Sequence, residues 1–250
     1  MEFRKVFDSI PEKFDKWRPR YCDEAFADII THSQLNSAKA ALEIGPGTGQ
    51  ATEPILKTNC DYFAVELGKN LTEYTENKFK AFDNFHIINA DFETFDFGER
   101  KFDLVYSAAT IQWIPEKIGF AKTFDLLKSG GTFAMMLTKS DYKTPNEALY
   151  NAIEEVYNQY FHPEAFYSQK LDYGNAVKYG FVNFERREYC SKREFTAEDY
   201  VSYLGTHCDH IILKEPYKSQ FYTGIRDAVL KAGNRIVLND TIVLYLTRKP

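Results

Sequence analysis

Residues 41–49 read Ala-Leu-Glu-Ile-Gly-Pro-Gly-Thr-Gly, a short apolar run that ends in glycines at alternate positions. A glycine has no Cβ, so it serves where a chain turns tightly or where a ligand must touch backbone. Placed after a buried strand and before a helix, three such residues at Gly45, Gly47 and Gly49 predict a loop that cradles a nucleotide-type cofactor. A dinucleotide loop carries glycine at the first, third and sixth positions of its motif. Here the sixth position is Gln50 and the third glycine comes one residue early. The spacing points away from NAD and toward another adenosine-containing cofactor.

Strands and helices alternate on both sides of this loop. Phe26, Ile29 and Ile30 trace a helix over 22–33, ahead of the strand at 40–44. A helix over 49–57 and a strand over 61–66 follow. Leu71, Tyr74, Lys78 and Phe82 mark the next helix. Further strands are read at 85–89 and 102–106, then a helix over 116–127 that Gly130-Gly131 ends, and a strand over 132–138. Such alternation predicts a mostly parallel sheet, doubly wound with helices on both faces, whose strand carboxyl ends share one edge. Beyond residue 140 the pattern changes. Ala148, Leu149, Ala152, Ile153, Val156, Tyr157 and Tyr160 define an amphipathic helix, followed by an aromatic loop through Phe161, Phe166, Tyr167 and Tyr173. A strand over 181–190, a capping box at Thr196 opening a helix to Leu204, a helix over 215–232 and a last strand over 241–247 complete the chain. The expected organisation is a cofactor-binding core with an N-terminal lid over 1–140. Residues 141–250 would add cap helices over the sheet edge and the final strands, for seven in all.

The 250 residues, 44% hydrophobic and 27% charged, suit one such α/β domain with its own core. A net charge of −5 lends no support to a nucleic-acid surface. With 17 Tyr and 21 Phe the chain has aromatics enough for a core and an apolar ligand pocket. Cys22, Cys60, Cys190 and Cys208 are scattered, with no zinc-type spacing, so no metal is expected. No apolar stretch is long enough for a membrane span and the start has no apolar leader core, which together give the expectation of a cytoplasmic protein. The sequence does not distinguish monomer from homodimer.

Candidate site residues fall at the predicted strand ends. Glu43 lies in the first strand beside the loop, where a cofactor ammonium, a held water or a basic side chain would satisfy it. Glu66 closes strand two about 20 residues after the first glycine, the position of an acid that accepts ribose hydroxyls. Asp91 and Phe92 follow strand three, where a carboxylate and a backbone N–H suit an adenine amine and ring nitrogen. After strand four, Ser107-Ala-Ala lets a ligand approach the backbone, and Gln112-Trp113 would face the reacting group; Trp113 taken alone is equally a core residue.

Together, Glu43-Ile-Gly-Pro-Gly-Thr-Gly, Glu66, Asp91-Phe92, Gln112-Trp113 and Leu127-Lys-Ser-Gly-Gly131 resemble the class I S-adenosylmethionine-dependent methyltransferases over residues 5–140. Phe14-Asp-Lys-Trp-Arg-Pro-Arg-Tyr21 is similar to the entry segment of a small-molecule subgroup. The Gln-Trp pair is similar to that of trans-aconitate and malonyl carrier protein methyltransferases, both of which esterify a carboxylate. The resemblance implies a Rossmann-like fold and S-adenosylmethionine as cofactor, leaving as S-adenosylhomocysteine. It also implies glycine-loop contact with the methionine part, Glu66 and the adjacent Leu67 at the ribose, and Asp91 and Phe92 at adenine. Arg18, with Phe14 or Trp17, would close over the cofactor, unless Arg18 is a surface ion pair. The reaction so implied is alignment-driven O-methylation of a small acidic acceptor, with no nucleic-acid or membrane partner. His207 and His210 read as structural or solvated rather than as a base. An NAD(P)-dependent oxidoreductase and a cofactor-binding protein without turnover are the competing readings.

Overall fold

The computed structural model describes residues 3–166 and 170–250, so Tyr167 of the aromatic loop lies outside the described residues. The chain runs through α1 (Pro11–Trp17), α2 (Asp23–Ser33), β1 (Ala40–Ile44), α3 (Thr52–Leu56), β2 (Asp61–Glu66), α4 (Lys69–Phe79), β3 (Phe85–Asn89) and β4 (Phe102–Ala108). It continues through α5 (Glu116–Leu126), β5 (Leu127–Asp141), α6 (Glu147–Tyr160), β6 (Val182–Phe195), α7 (Ala197–Leu204), α8 (Cys208–Ile211), α9 (Tyr217–Lys231) and β7 (Ile236–Arg248). The strands make one seven-stranded sheet in the order β3-β2-β1-β4-β5-β7-β6. β1 runs parallel to both β2 and β4, β2 to β3, and β4 to β5. The strand order reverses between β1 and β4, the topological position at which such sheets open a crevice outside their carboxyl ends.

Burial on both faces explains the apolar strands. Ala41, Tyr62, Ala64 and Tyr106 join a core with Phe26 and Ile29 of α2, Ile55 and Leu56 of α3 and Phe79 of α4. Leu42, Ile44, Val65, Val105 and Phe133 point the other way, into a second core with Phe120 and Leu126 of α5. Alternate residues of each strand thus feed alternate cores, and the sheet is doubly wound as the βα alternation predicts.

Two compact units share the chain, interleaved in sequence. One holds Pro19–Thr138, Gln169–Tyr189 and Ile242–Pro250, and with them the glycine loop; the other holds Met1–Arg18, Lys139–Ser168 and Cys190–Thr241. In the latter, Phe221, Ile225 and Val229 line one stripe of α9 and share a core with Leu149 and Ile153 of α6 and Tyr200, Tyr203 and Leu204 of α7. Gly224 permits this approach, since a Cβ there would stand 2.9 Å from Val156 Cγ1. Thr196 is the N-cap as expected, accepting the Asp199 N–H at 3.2 Å, while the Asp199 carboxylate turns to the Thr196 hydroxyl rather than to its backbone N–H. In the same unit Asp240, 3% exposed, pairs with Arg193 and accepts from Ser140 Oγ at 2.5 Å. Among the described residues no helix is long and apolar enough to cross a membrane.

Several element boundaries differ from the sequence expectation. The helix expected over 49–57 is only α3, because Gly45, Gly47 and Gly49 all hold positive φ (+65°, +60° and +80°) and the chain is still turning through the loop. The helix over 116–127 ends at Leu126, before the glycine pair, because Leu127 is already extended (φ −79°, ψ 142°). Gly130 and Gly131 instead sit inside β5. The Gly130 N–H donates to Lys249 O at 2.9 Å and the Lys249 N–H to Gly131 O at 3.0 Å. With Gly130 at φ +76°, this is the two-against-one pairing of a glycine bulge. β6 is longer than expected because it is an edge strand whose exposed charges hide its alternation, and β7 begins at Ile236 rather than at 241.

Two stability predictions follow from these contacts. Gly49→Ala places a Cβ 2.3 Å from Phe79 Cε2 at a left-handed φ, whereas a Cβ at Gly98 meets nothing within 4 Å at a similar φ (+59°). Urea denaturation is expected to show Gly49→Ala losing more than the roughly 1–2 kcal/mol of backbone strain that Gly98→Ala incurs. Asp240→Asn, which leaves Arg193 partly buried without its counter-charge, is expected to lower stability by about 3 kcal/mol in the same assay.

Candidate functional site

The carboxyl ends of the four parallel strands β1–β4 deliver the glycine loop, Glu66, Asp91 and the segment after β4 to one edge of the sheet. The loop is held from several directions. The Gly45 N–H donates to Val65 O at 2.9 Å, and Gly49 N–H to Pro46 O at 2.8 Å. From α4, Thr75 Oγ1 donates to Gly47 O at 2.6 Å and Lys78 Nζ to Thr48 O at 2.9 Å. From the far side of β1, Thr110 Oγ1 donates to Gly45 O at 2.9 Å. The Thr110 side chain fills the space a Cβ on Gly45 would need, 2.3 Å from its Cγ2. The backbone path is thus fixed before any ligand arrives.

Glu66 is 6% exposed and ties two loops together. Its Oε2 accepts the Gly47 N–H at 3.0 Å and its Oε1 the Gly68 N–H at 2.9 Å. Asn89, which the sequence reading passed over, closes β3 by donating through Nδ2 to Glu66 O and to Leu67 O, each at 3.0 Å. An amide at a strand end, one strand over from the acid, was the available signal.

Asp91 builds a turn: its Oδ1 accepts the Glu93 N–H at 3.0 Å and its carbonyl the Phe95 N–H at 2.8 Å. The ring of Phe92 is core, 5.9 Å from Phe97 centroid to centroid, so this residue offers a ligand its backbone. The Lys122 ammonium stands 5.2 Å over that ring and donates to Phe95 O at 2.6 Å; burial lowers its pKa.

Glu43 takes a different course from Glu66. Its carboxylate is 1% exposed and accepts from Thr52 Oγ1 at 2.6 Å and from the Tyr62 hydroxyl. The Tyr62 and Tyr106 hydroxyls are 2.5 Å apart. Hydroxyls, rather than a basic side chain, surround it, and burial pushes its carboxyl above the ordinary carboxylate range.

After β4, the buried Ser107 accepts the Ile111 N–H at 2.9 Å, which folds residues 108–111 back on the strand end. Ala109 sits at φ +56° in this turn and donates to Met136 O at 2.7 Å. Gln112 and Trp113 share the one-turn helix Ile111–Trp113, which is anchored by the buried Ile111. Gln112 Nε2 donates to Ala109 O at 3.0 Å, and Tyr173 donates to Gln112 Oε1 at 3.4 Å. Tyr173 is itself stacked on Tyr245 at 4.6 Å. It lies in the aromatic loop, and no local spacing links it to Gln112.

Phe14 and Arg18 fall in the other unit, with the Arg18 guanidinium 5.3 Å over the Phe14 ring. That unit also carries the two histidines. His210 is buried and bonded on both ring nitrogens, Nδ1 to Asp209 Oδ1 at 2.8 Å and Nε2 to the Tyr157 hydroxyl at 2.9 Å. Burial, with Arg18 and His210 nearby, pushes His207 down to about 3, so it is neutral at physiological pH.

The groups at the sheet edge fit an adenosine-bearing cofactor. A carboxylate and a turn-forming Asp close the second and third strands, where hydroxyl and amine donors would meet acceptors. A rigid loop with no Cβ at three positions lets a chain of ligand atoms lie on the backbone.

Comparison with known proteins agrees with this geometry. Residues 42–135 match the methyltransferase-domain family. A Dictyostelium discoideum protein provisionally named as a methyltransferase is 23% identical over 99% of this chain and 96% of its own length. The malonyl-[acyl-carrier protein] O-methyltransferase of a Marinomonas species is 27% identical over 52% of this chain, which spans about half (49%) of that protein. In fold, the chain is similar to Haemonchus contortus phosphoethanolamine N-methyltransferase 2, solved with phosphomonomethylethanolamine and S-adenosylhomocysteine. That similarity covers 100% of this chain and 60% of the other at 16% identity, with a TM-score of 0.59. Residues 42–135 thus form a methyltransferase domain, and the sheet order and glycine loop around it resemble those of the class I S-adenosylmethionine-dependent methyltransferases.

Proposed function

We propose that this enzyme methylates a carboxylate oxygen of a small-molecule acceptor, in the manner of the trans-aconitate-like branch. The observation that carries this reading is the composition of the segment after β4. Residues 107–115 contain no carboxylate, histidine, lysine or other side chain able to serve as a base, and the Gln112 amide is oriented by Ala109 O and the Tyr173 hydroxyl. An amide so held can orient an acceptor but cannot deprotonate one. A carboxylate needs no base, whereas a phenol or ammonium acceptor does. The Marinomonas relative, an O-methyltransferase by name, supports the same direction.

When bound, S-adenosylmethionine supplies a methyl group already activated by its sulfonium. The chain's task is then to align the acceptor for in-line displacement and to keep water out. In the proposed arrangement Gly45, Gly47 and Gly49 admit the methionine part, Glu66 accepts the ribose hydroxyls with Leu67 beside it, and Asp91 and the Phe92 N–H hold adenine. Ser107 shapes the strand end that carries Gln112 and Trp113, which flank the acceptor.

Assays of methyl-donor consumption across small carboxylic acids, phenols and amines test the acceptor class. Carboxylic acids are expected to turn over, with a rate at saturating methyl donor that stays level from about pH 5 upward because their pKa lies near that of a side-chain carboxyl. Turnover confined to amines or phenols with a bell-shaped profile would overturn the carboxylate reading, and tight cofactor binding without any turnover would overturn catalysis. In calorimetric titration, Glu66→Ala is expected to weaken S-adenosylmethionine by tenfold or more, the scale of losing hydrogen bonds to a charged acceptor. His207→Ala, which removes an imidazole that is uncharged at physiological pH, should leave the affinity nearly unchanged.

A further inference from the structure

Glu43 makes none of the bonds that hold the glycine loop, although it stands two residues before Gly45 at the end of β1. The groups facing it are Tyr62 from β2, Tyr106 from β4 and Thr52 from α3. Tyr106 in turn reaches Ala51 O at 3.2 Å. Among the described residues, the groups that act on it are these hydroxyls and its own burial, with no Lys, Arg, His or second carboxylate. Glu66, two residues beyond Ala64, the β2 partner of Glu43, and on the same side of the sheet, is taken up by the N–H groups of Gly47 and Gly68.

A buried carboxylate without a cation is costly to ionise. Hydroxyl partners differ from a salt bridge in one respect: each can donate or accept, so the same three groups serve the neutral acid and the anion alike. Glu43 is therefore built to exist in either state, and the nearest charge decides which. The ligand whose charge changes is the cofactor. S-adenosylmethionine carries a sulfonium, an ammonium and a carboxylate, for a net charge of +1. S-adenosylhomocysteine has lost the sulfonium charge and is net neutral.

We propose that Glu43 is a specificity-determining residue that distinguishes methyl donor from product by gaining and losing a proton. It is the neutral acid in the free protein and the anion when the positively charged donor is bound. It returns to the acid once the uncharged thioether occupies the site. One proton passes to bulk water on donor binding and one returns after transfer, so a turnover is proton-neutral at this residue. The inference rests on the reading that the glycine loop holds the methionine end of the cofactor.

The sign of the pH dependence follows. The free-state carboxyl lies above its ordinary range, and the donor lowers it. Between those two positions donor binding releases a proton, so donor affinity rises with pH while product affinity does not.

Calorimetric titration of the full chain with each ligand, in phosphate and in Tris, reads the released proton directly, because the two buffers differ in ionisation heat. A buffer-dependent heat is expected for S-adenosylmethionine and little or none for S-adenosylhomocysteine. The ratio of donor to product affinity should rise with pH by up to tenfold per unit within the window. Glu43→Gln, which keeps the shape and an acceptor, is expected to make both the heats and the ratio independent of buffer and pH. If that variant does not fold, Tyr62→Phe should shift the window upward, since it removes a donor to the anion. Equal donor heats in both buffers, with a flat ratio from pH 6 to 9, would overturn the proposal. Failure of both sulfur ligands to bind would overturn the glycine-loop assignment itself, and the proposal with it.

Discussion

The left-handed turn after β1 is only possible without side chains, because neighbouring groups already occupy the space that Cβ atoms would take. Thr110 fills it at Gly45 and Phe79 at Gly49. These contacts tie the loop to the segment after β4 on one side and to α4 on the other. The hydrogen bonds of Thr75, Lys78 and Thr110 to loop carbonyls fix the same path. Other features of the site inherit their position from it, including the Glu66 carboxylate, which spans from Gly47 to Gly68. A cofactor meets an arrangement whose ordering cost was met during folding, which is the physical content of a preorganised site.

The two acids of this region show how environment separates chemically equal groups. Glu66 is met by backbone N–H groups, which stabilise a carboxylate and suit a permanent acceptor. Glu43, one strand away, is met by hydroxyls and apolar surface, which favour neither state strongly once a charge approaches. Both look alike as acids at the ends of apolar strands, and their roles diverge only through the residues that fold beside them.

Much of this was legible in the residues themselves. Strands β1 to β4 could be read to within two residues because each is an apolar run bounded by polar residues or turns, and the glycine spacing pointed away from a dinucleotide loop. The seven-stranded sheet follows from the same alternation. What escaped depends on contacts between distant positions. Gly130-Gly131 resembles a helix stop locally and is a bulge only because Lys249 pairs with it. Tyr173 bears on Gln112 from 61 positions away. The hydroxyl surroundings of Glu43 come from β2, β4 and α3, none of which the sequence near residue 43 announces. β6 was read short because edge position, rather than alternation, governs its composition.

The order β5-β7-β6 has a consequence for how the chain comes to be folded. In the finished sheet β5 and β6 do not touch, and the strand that joins them is the last of the seven in sequence. During synthesis β5 therefore waits with an apolar edge unpaired while roughly a hundred further residues are added, and β6 has no sheet neighbour at all. That interval is the one in which a growing chain is most open to wrong partners. The charged run Glu185-Arg186-Arg187-Glu188 blunts β6 as an edge for wrong pairing, and the arrival of Ile236–Arg248 gives both strands their neighbour at once.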